Sequence, residues 1–190
     1  MSAEGSAASA ASAVRPLLRV HQVREFTDEP VSTDALDAIA DAARWSGSSR
    51  NTQPWRFVIL RSVETLRTIG AAGLPQTRSL QSATAAVAIV LPEASGMGIS
   101  HAYDEGRAAE RMLIAASFLD LGAGVAWILP PVRPLVASLL ELPEGRYVRT
   151  IVAVGHPSAA ARRPKSAKGQ ARLPREETVS YETWGGSAGD

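Results

Sequence analysis

The chain contains no cysteine, which excludes disulfides, thiolate metal sites and a cysteine nucleophile. Absent disulfides fit a reducing compartment, so a cytoplasmic setting is expected. Only three histidines occur, His21, His101 and His156. They are far apart and lack HxxxH or HxH spacing, so no metal centre is expected. Neither sign of charge dominates: 20 Lys+Arg stand against 19 Asp+Glu, which gives no electrostatic reason to bind nucleic acid or an anionic membrane. No apolar run approaches the length that spans a bilayer. Gly-x-Gly-x-x-Gly after a strand, the P-loop and Gly-x-Ser-x-Gly are all missing, so dinucleotide, nucleotide and serine-hydrolase sites of those kinds have no support. The spacing of Ser48 and Ser49 from the histidines makes a hydrolase pair no better than chance.

What is present is a globular composition, 45% hydrophobic and 21% charged over 190 residues. That length suits one domain with a real core, or half of an intertwined dimer. Residues 1–13 are Ser, Ala, Gly and one Glu after the initial Met, without the basic start and apolar centre of a signal peptide. They read as a disordered leader to a single domain over 14–185. A polar, basic stretch over 158–170 reads as a mobile connection to a C-terminal arm, and 186–190 as a tail.

Helical and strand signals alternate. Residues 16–22 form a short helical candidate. Ser32 or Thr33 can cap a second helix, with Asp34 in its first turn and Leu36, Ile39, Ala40 and Ala43 on one apolar stripe. Residues 57–60, 85–91, 125–129 and 147–154 read as buried strands, the third stopped by Pro130-Pro131. Helices are expected over 63–71, ended by Gly73, over 101–121, ended by Gly122 and Gly124, and over 132–140. This mixture, without hairpin signals, predicts an α+β or α/β sandwich.

Ser48-Ser49-Arg50-Asn51-Thr52-Gln53-Pro54-Trp55, running into Arg56-Phe57-Val58-Ile59-Leu60, is the most informative segment. Small hydroxyls and amides can present several donors to a polar, planar ligand while the strand anchors the loop. An ordinary polar turn before a strand fits the same composition. Arg24, Arg172 and Arg175 are single cations able to hold a phosphate, though lone arginines are more often solvated.

Val23-Arg24-Glu25-Phe26-Thr27-Asp28-Glu29-Pro30-Val31, Ala42-Ala43-Arg44-Trp45 and the 48–57 segment resemble the opening of the nitroreductase family of flavoproteins. Asp104-Glu105-Gly106-Arg107-Ala108-Ala109 with Leu121-Gly122-Ala123-Gly124 and Trp127-Ile128 is similar to that family's central helix and following strand. Leu142-Pro143-Glu144-Gly145, Val154-Gly155-His156-Pro157 and Arg172-Leu173-Pro174 resemble its later signposts, in the same order. The resemblance spans roughly residues 15 to 185. It implies an α+β, nitroreductase-like α-β-α sandwich with a mixed central sheet flanked by helices, in an intertwined homodimer.

The resemblance further implies an FMN-dependent oxidoreductase, with no catalytic side chain, passing hydride from NAD(P)H through flavin N5 to a quinone, nitroaromatic or similar small-molecule acceptor by a ping-pong cycle. It assigns cofactor contacts to His21, Gln22 and Arg24, to Ser48, Ser49, Asn51 and Gln53, to Trp127, Ile128 and Leu129, and to Arg172. Arg24 and Arg172 fall where the family grips the phosphate, and the Leu129 N–H where it meets N5. Three departures stand out. Val20-His21-Gln22 replaces Arg-Arg-Ser or Arg-His-Ser, Gln170 stands where lysine is common, and Pro130-Pro131 replaces a Gly-rich or Glu-Gly pair, so that Pro130 has no N–H to offer. The alternative reading is a catalytically silent relative that binds or sequesters a flavin, or a dimeric interaction platform.

Overall fold

Ser32 starts the first long helix by accepting a hydrogen bond from the Ala35 N–H at 3.2 Å, and Asp34 sits in the first turn against the positive end of the helix dipole. This helix, α1 (Thr33–Arg44), buries the expected Leu36, Ile39 and Ala43. Helix α2 (Val63–Ala72) is capped in the same way by Ser62 and stops at Gly73. The structure is a computed structural model and describes residues 10–93, 96–162 and 172–187. At the end of the expected leader, residues 10–14 are helical and exposed.

Four strands, β1 (Arg56–Leu60), β2 (Ala85–Pro92), β3 (Gly122–Trp127) and β4 (Arg146–Gly155), form one sheet in the order β1-β2-β4-β3. Every pairing among the described residues is antiparallel, which corrects the expectation of a mixed sheet. Parallel neighbours need a crossover that restores the chain to its starting end. Here α2 is followed by a 3-10 turn at Arg78–Gln81, and this return lets β2 run back beside β1.

The sheet is covered on both faces, so the strands alternate between two cores rather than between core and solvent. Val87, Ile89, Val152 and Val154 join Leu36, Ile39, Met112 and Ala116 in one core. Ala86, Ala88, Ile151 and Ala153 join Leu66, Ile69 and Val136 in the other. Helices α1 and α3 (Gly98–Phe118) therefore form one outer layer, while α2 and α4 (Arg133–Leu139) form the opposite one. This is the α-β-α sandwich expected, within the α+β class.

Two boundaries differ from the sequence expectation. Helix α3 ends at Phe118, and its stop signal is Asp120 in the left-handed region at φ 55°. The Leu121 N–H donates to Ala116 O at 2.9 Å and the Asp120 N–H to Ser117 O at 3.3 Å. That is a Schellman closure with aspartate where glycine is commoner. Gly122 and Gly124 consequently belong to β3, which ends at Trp127 rather than Leu129. They are strand residues because Val23 lies against them: a Cβ on Gly122 would sit 2.8 Å from the Val23 Cβ, and one on Gly124 would clash with the Val23 carbonyl oxygen.

The ends of the domain differ as well. The 16–22 candidate shrinks to a 3-10 turn at Leu17–Arg19, because the following residues are drawn out along β3. Residues 158–162, expected within a mobile connection, begin as a hydrogen-bonded turn: the Ser158 N–H donates to Glu25 O at 3.1 Å and the Arg162 N–H to Ser158 O at 3.1 Å. The rest of that connection lies outside the described residues. A short helix, α5 (Arg175–Thr178), opens the C-terminal segment.

Candidate functional site

The edge of β3 is the starting point. The Val23 N–H donates to Ala123 O at 2.8 Å, and the Gln22 side chain carries the ladder one residue further by accepting from the Val125 N–H at 3.3 Å. The same Gln22 oxygen accepts from the Arg24 guanidinium at 3.3 Å. This geometry lines His21, Gln22 and Arg24 along the outer edge of β3, all exposed. Trp127, at the end of the same strand, leaves half of its surface open, at 53% exposure.

Two cavities meet at Gln22, Val125 and Trp127. One, of about 400 Å³, is completed by Arg24, Pro75, Gln76 and Arg78. No carboxylate lines it, and Arg78 has no side-chain hydrogen bond or ion pair among the described residues. The other, of about 320 Å³, has Ala109 and Leu113 of α3 in its wall, with Glu105, Arg149 and Thr150. Both volumes lie in the range of small-molecule sites. One side is cationic and the other has an apolar wall, with an indole between them.

The second cavity contains a buried ion pair. The Arg149 Nε donates to Glu105 Oε2 at 2.7 Å, and a second guanidinium N–H reaches the same oxygen. Glu105 Oε1 is buried without a partner among the described residues. Sequence reasoning missed Arg78, Glu105 and Arg149. Glu105 at least fell within a recognised segment, whereas nothing in the sequence links Arg78 to Arg24.

The 48–53 loop is built by a separate set of contacts. Arg50, Asn51 and Gln53 all take left-handed backbone angles, at φ 50°, 55° and 47°. For residues with a Cβ, such a cluster persists only when its surroundings enforce it. The surroundings are visible. The Gln53 N–H donates to Ser48 Oγ at 2.9 Å. The Ser49 N–H lies 3.1 Å from each carboxylate oxygen of Asp104, and the Arg111 guanidinium donates to Trp45 O at 2.7 Å. Asp104 is buried, and Arg107 lies 3.8 Å from it. Beyond the loop, Trp55 is buried and stacks on Phe57. Thus α3 holds the loop from one side and the sheet from the other, with Asn51 and Gln53 exposed.

The structure brings Gln22, Arg24 and Trp127 together and keeps the loop apart from them. Of the loop residues, Thr52 and Gln53 line a different cavity, with Trp55, Arg56 and Phe57. Ile128 is fully buried and its N–H donates to Arg149 O at 2.8 Å, so it has no free donor to offer a ligand. Leu129 is partly exposed, and its N–H has no partner among the described residues. Arg172 is exposed at the start of the C-terminal segment.

Comparison with known proteins agrees with this architecture. A protein of Archaeoglobus fulgidus named "Putative NADH dehydrogenase/NAD(P)H nitroreductase" is 29% identical over 71% of this chain and 79% of its own length. The oxygen-insensitive NADPH nitroreductase of Helicobacter acinonychis is 34% identical over 47% of this chain and 45% of its own. Among solved structures, B. megaterium NfrA2 superposes with a TM-score of 0.74 at 25% identity, covering 90% of this chain and 74% of that one. An FMN-dependent nitroreductase of Clostridium difficile shares the fold at 20% identity, with a TM-score of 0.72 over 88% of this chain and 98% of that one. The sequence model of the Nitroreductase family matches residues 21–156, from the Gln22 edge through the loop, the central helix and the last strand, and the chain therefore belongs to that family.

Proposed function

We propose that this chain is an FMN-dependent oxidoreductase that transfers hydride from NAD(P)H, by way of the flavin, to a quinone, nitroaromatic or similar acceptor. The observation that carries the reading is the cleft divided by Trp127, cationic at Arg24 and Arg78 and apolar along Ala109 and Leu113. Such a donor set suits a ligand with a flat apolar ring system and anionic groups. Membership of the family, and the name of the C. difficile structure, add weight to FMN as that ligand.

Bound there, FMN would supply the hydride-accepting and hydride-donating centre, which no side chain of this chain provides. The residues would supply binding and shielding. Arg24 and Arg78 face the anionic groups with charge-assisted hydrogen bonds, and Arg172 adds a third cation from the C-terminal segment. Trp127 covers ring surface, while the Leu129 N–H is the remaining backbone donor next to it, since Ile128 is committed and Pro130 has none.

The chain is read as working as a homodimer in the cytoplasm. Large apolar side chains on α3 and beyond stand open, with Ile99 at 79%, Tyr103 at 72% and Trp184 at 101% exposure. Surface of that kind marks an interaction face. In a dimer, Ser48, Ser49, Asn51 and Gln53 would serve the cleft of the partner, which accounts for a polar loop that, among the described residues, lines neither cavity beside Trp127. Analytical ultracentrifugation of the FMN-loaded protein tests this, and a monomer at micromolar concentration would remove the loop from the flavin site.

A further inference from the structure

A third cavity, of about 570 Å³, opens beyond the Pro130 turn and is lined by Glu93, Pro130, Arg133, Ala137, Arg146 and Tyr147 among others. Two guanidinium groups face it against one carboxylate, and neither arginine has a side-chain hydrogen bond or ion pair among the described residues. Arg133 is nonetheless fixed: its guanidinium lies 4.8 Å from the centre of the Tyr147 ring, and its Nε is buried without a partner. The buried Nε keeps the side chain in place, while the terminal guanidinium N–H groups, not buried and without a partner among the described residues, make a preorganised anion receptor held by an aromatic ring. Arg146 faces the same space from the start of β4, whose position is set by the Arg146 N–H donating to Pro143 O at 3.2 Å.

We propose that this cavity binds the phosphorylated ribose end of the nicotinamide donor and gives the protein a preference for NADPH over NADH. The placement supports it. Trp127 borders the cleft assigned to the flavin and Pro130 borders this cavity. Those two residues are three apart, at most about 10 Å even in fully extended chain. A dinucleotide that passes round the end of β3, from the α3 side of the sheet to the α4 side, would join the flavin cleft to the third cavity. A 2′-phosphate is a dianion that accepts two forked guanidinium contacts at once, whereas the bare ribose of NADH offers hydroxyls that leave Arg133 and Arg146 unmatched.

The inference rests on the oxidoreductase reading, and its test is chosen to fail separately from it. Calorimetric titration of the FMN-loaded protein with 2′,5′-ADP probes the cavity without any redox step. Binding is expected in the native protein, weakened about 10- to 100-fold in Arg146→Ala, and at least that much weaker for 5′-AMP than for 2′,5′-ADP. Stopped-flow reduction should then show the apparent Kd for NADPH rising by the same factor in Arg146→Ala while that for NADH stays within about twofold. No 2′,5′-ADP binding, or equal loss for both nucleotides, overturns the assignment even if the flavin is reduced normally. Binding of 2′,5′-ADP through Arg146 in a protein that retains no flavin would keep the cavity assignment and defeat the oxidoreductase reading instead.

Discussion

Replacing Asp104 by alanine separates the loop from the helix that holds it. The carboxylate is buried, with both oxygens 3.1 Å from the Ser49 N–H. Hydrogen bonds to a charged group contribute about 1.5–3 kcal/mol. The companion contact to Arg107 is 3.8 Å long, and Arg107 is 60% exposed, so it adds less than about 1 kcal/mol. Asp104→Ala should therefore lower stability by about 2–3 kcal/mol, or about 4–12 °C in melting temperature for a chain of this size. The larger effect falls on binding. Once Ser49 is untethered, α3 holds only the entry to the loop, through Arg107 on Gly47 O and Arg111 on Trp45 O. Its direct hold on the left-handed Arg50 and Asn51 is lost, and FMN affinity should fall at least about tenfold at a temperature where the variant is folded. Asp104→Asn retains the volume and one acceptor oxygen and should lose only about 1 kcal/mol. Differential scanning fluorimetry and FMN fluorescence titration read the two effects. An Asp104→Ala protein that melts lower but binds FMN unchanged would refute the claim that α3 positions the loop for the flavin.

Other substitutions probe the cleft. Gly124→Ala places a methyl group against the Val23 carbonyl and should cost about 3 kcal/mol, displacing the 21–24 edge and FMN together. A variant with native melting temperature and native flavin content would show that this edge is dispensable. Arg78→Ala should reduce FMN affinity about tenfold or more with stability altered by less than about 0.5 kcal/mol. Arg172→Ala should behave alike, and full retention of affinity in a titration would remove either residue from the site. Glu105→Ala strands Arg149 beside the second cavity and should cost about 3–5 kcal/mol, whereas Glu105→Leu with Arg149→Met should recover most of it. If the double variant is as unstable as the single one, chemical denaturation will have shown that the pair is not the cause.

The parts of the fold legible in the sequence were those whose cause is local. Ser32 and Asp34 marked the start of α1, and the apolar run at 85–91 marked β2, because capping and burial leave their signatures within a few residues. The glycine pair after α3 misleads because its cause is distant. Gly122 and Gly124 look like a helix stop until Val23 is known to lie against them. The site divides in the same way. The polar loop and the 23–31 segment that follows the Gln22 edge carried recognisable motifs, whereas Val20-His21-Gln22 departs from them. By contrast, the bond from Ser49 to Asp104 spans 55 positions, and Arg78 reaches the cleft of Arg24 only because α2 and its return turn fold the chain back along the sheet. Pairings set by tertiary packing have no periodicity in the sequence to betray them.

The most direct measurement is the absorbance spectrum of the purified protein, recorded before and after incubation with FMN, removal of excess and anaerobic addition of NADPH. Flavin bands that travel with the protein at about one per chain, and that bleach with NADPH and return with a quinone, are the expected result. A protein that stays colourless after FMN incubation, with its fold intact by circular dichroism, would contradict the assignment of the Trp127 cleft to the flavin.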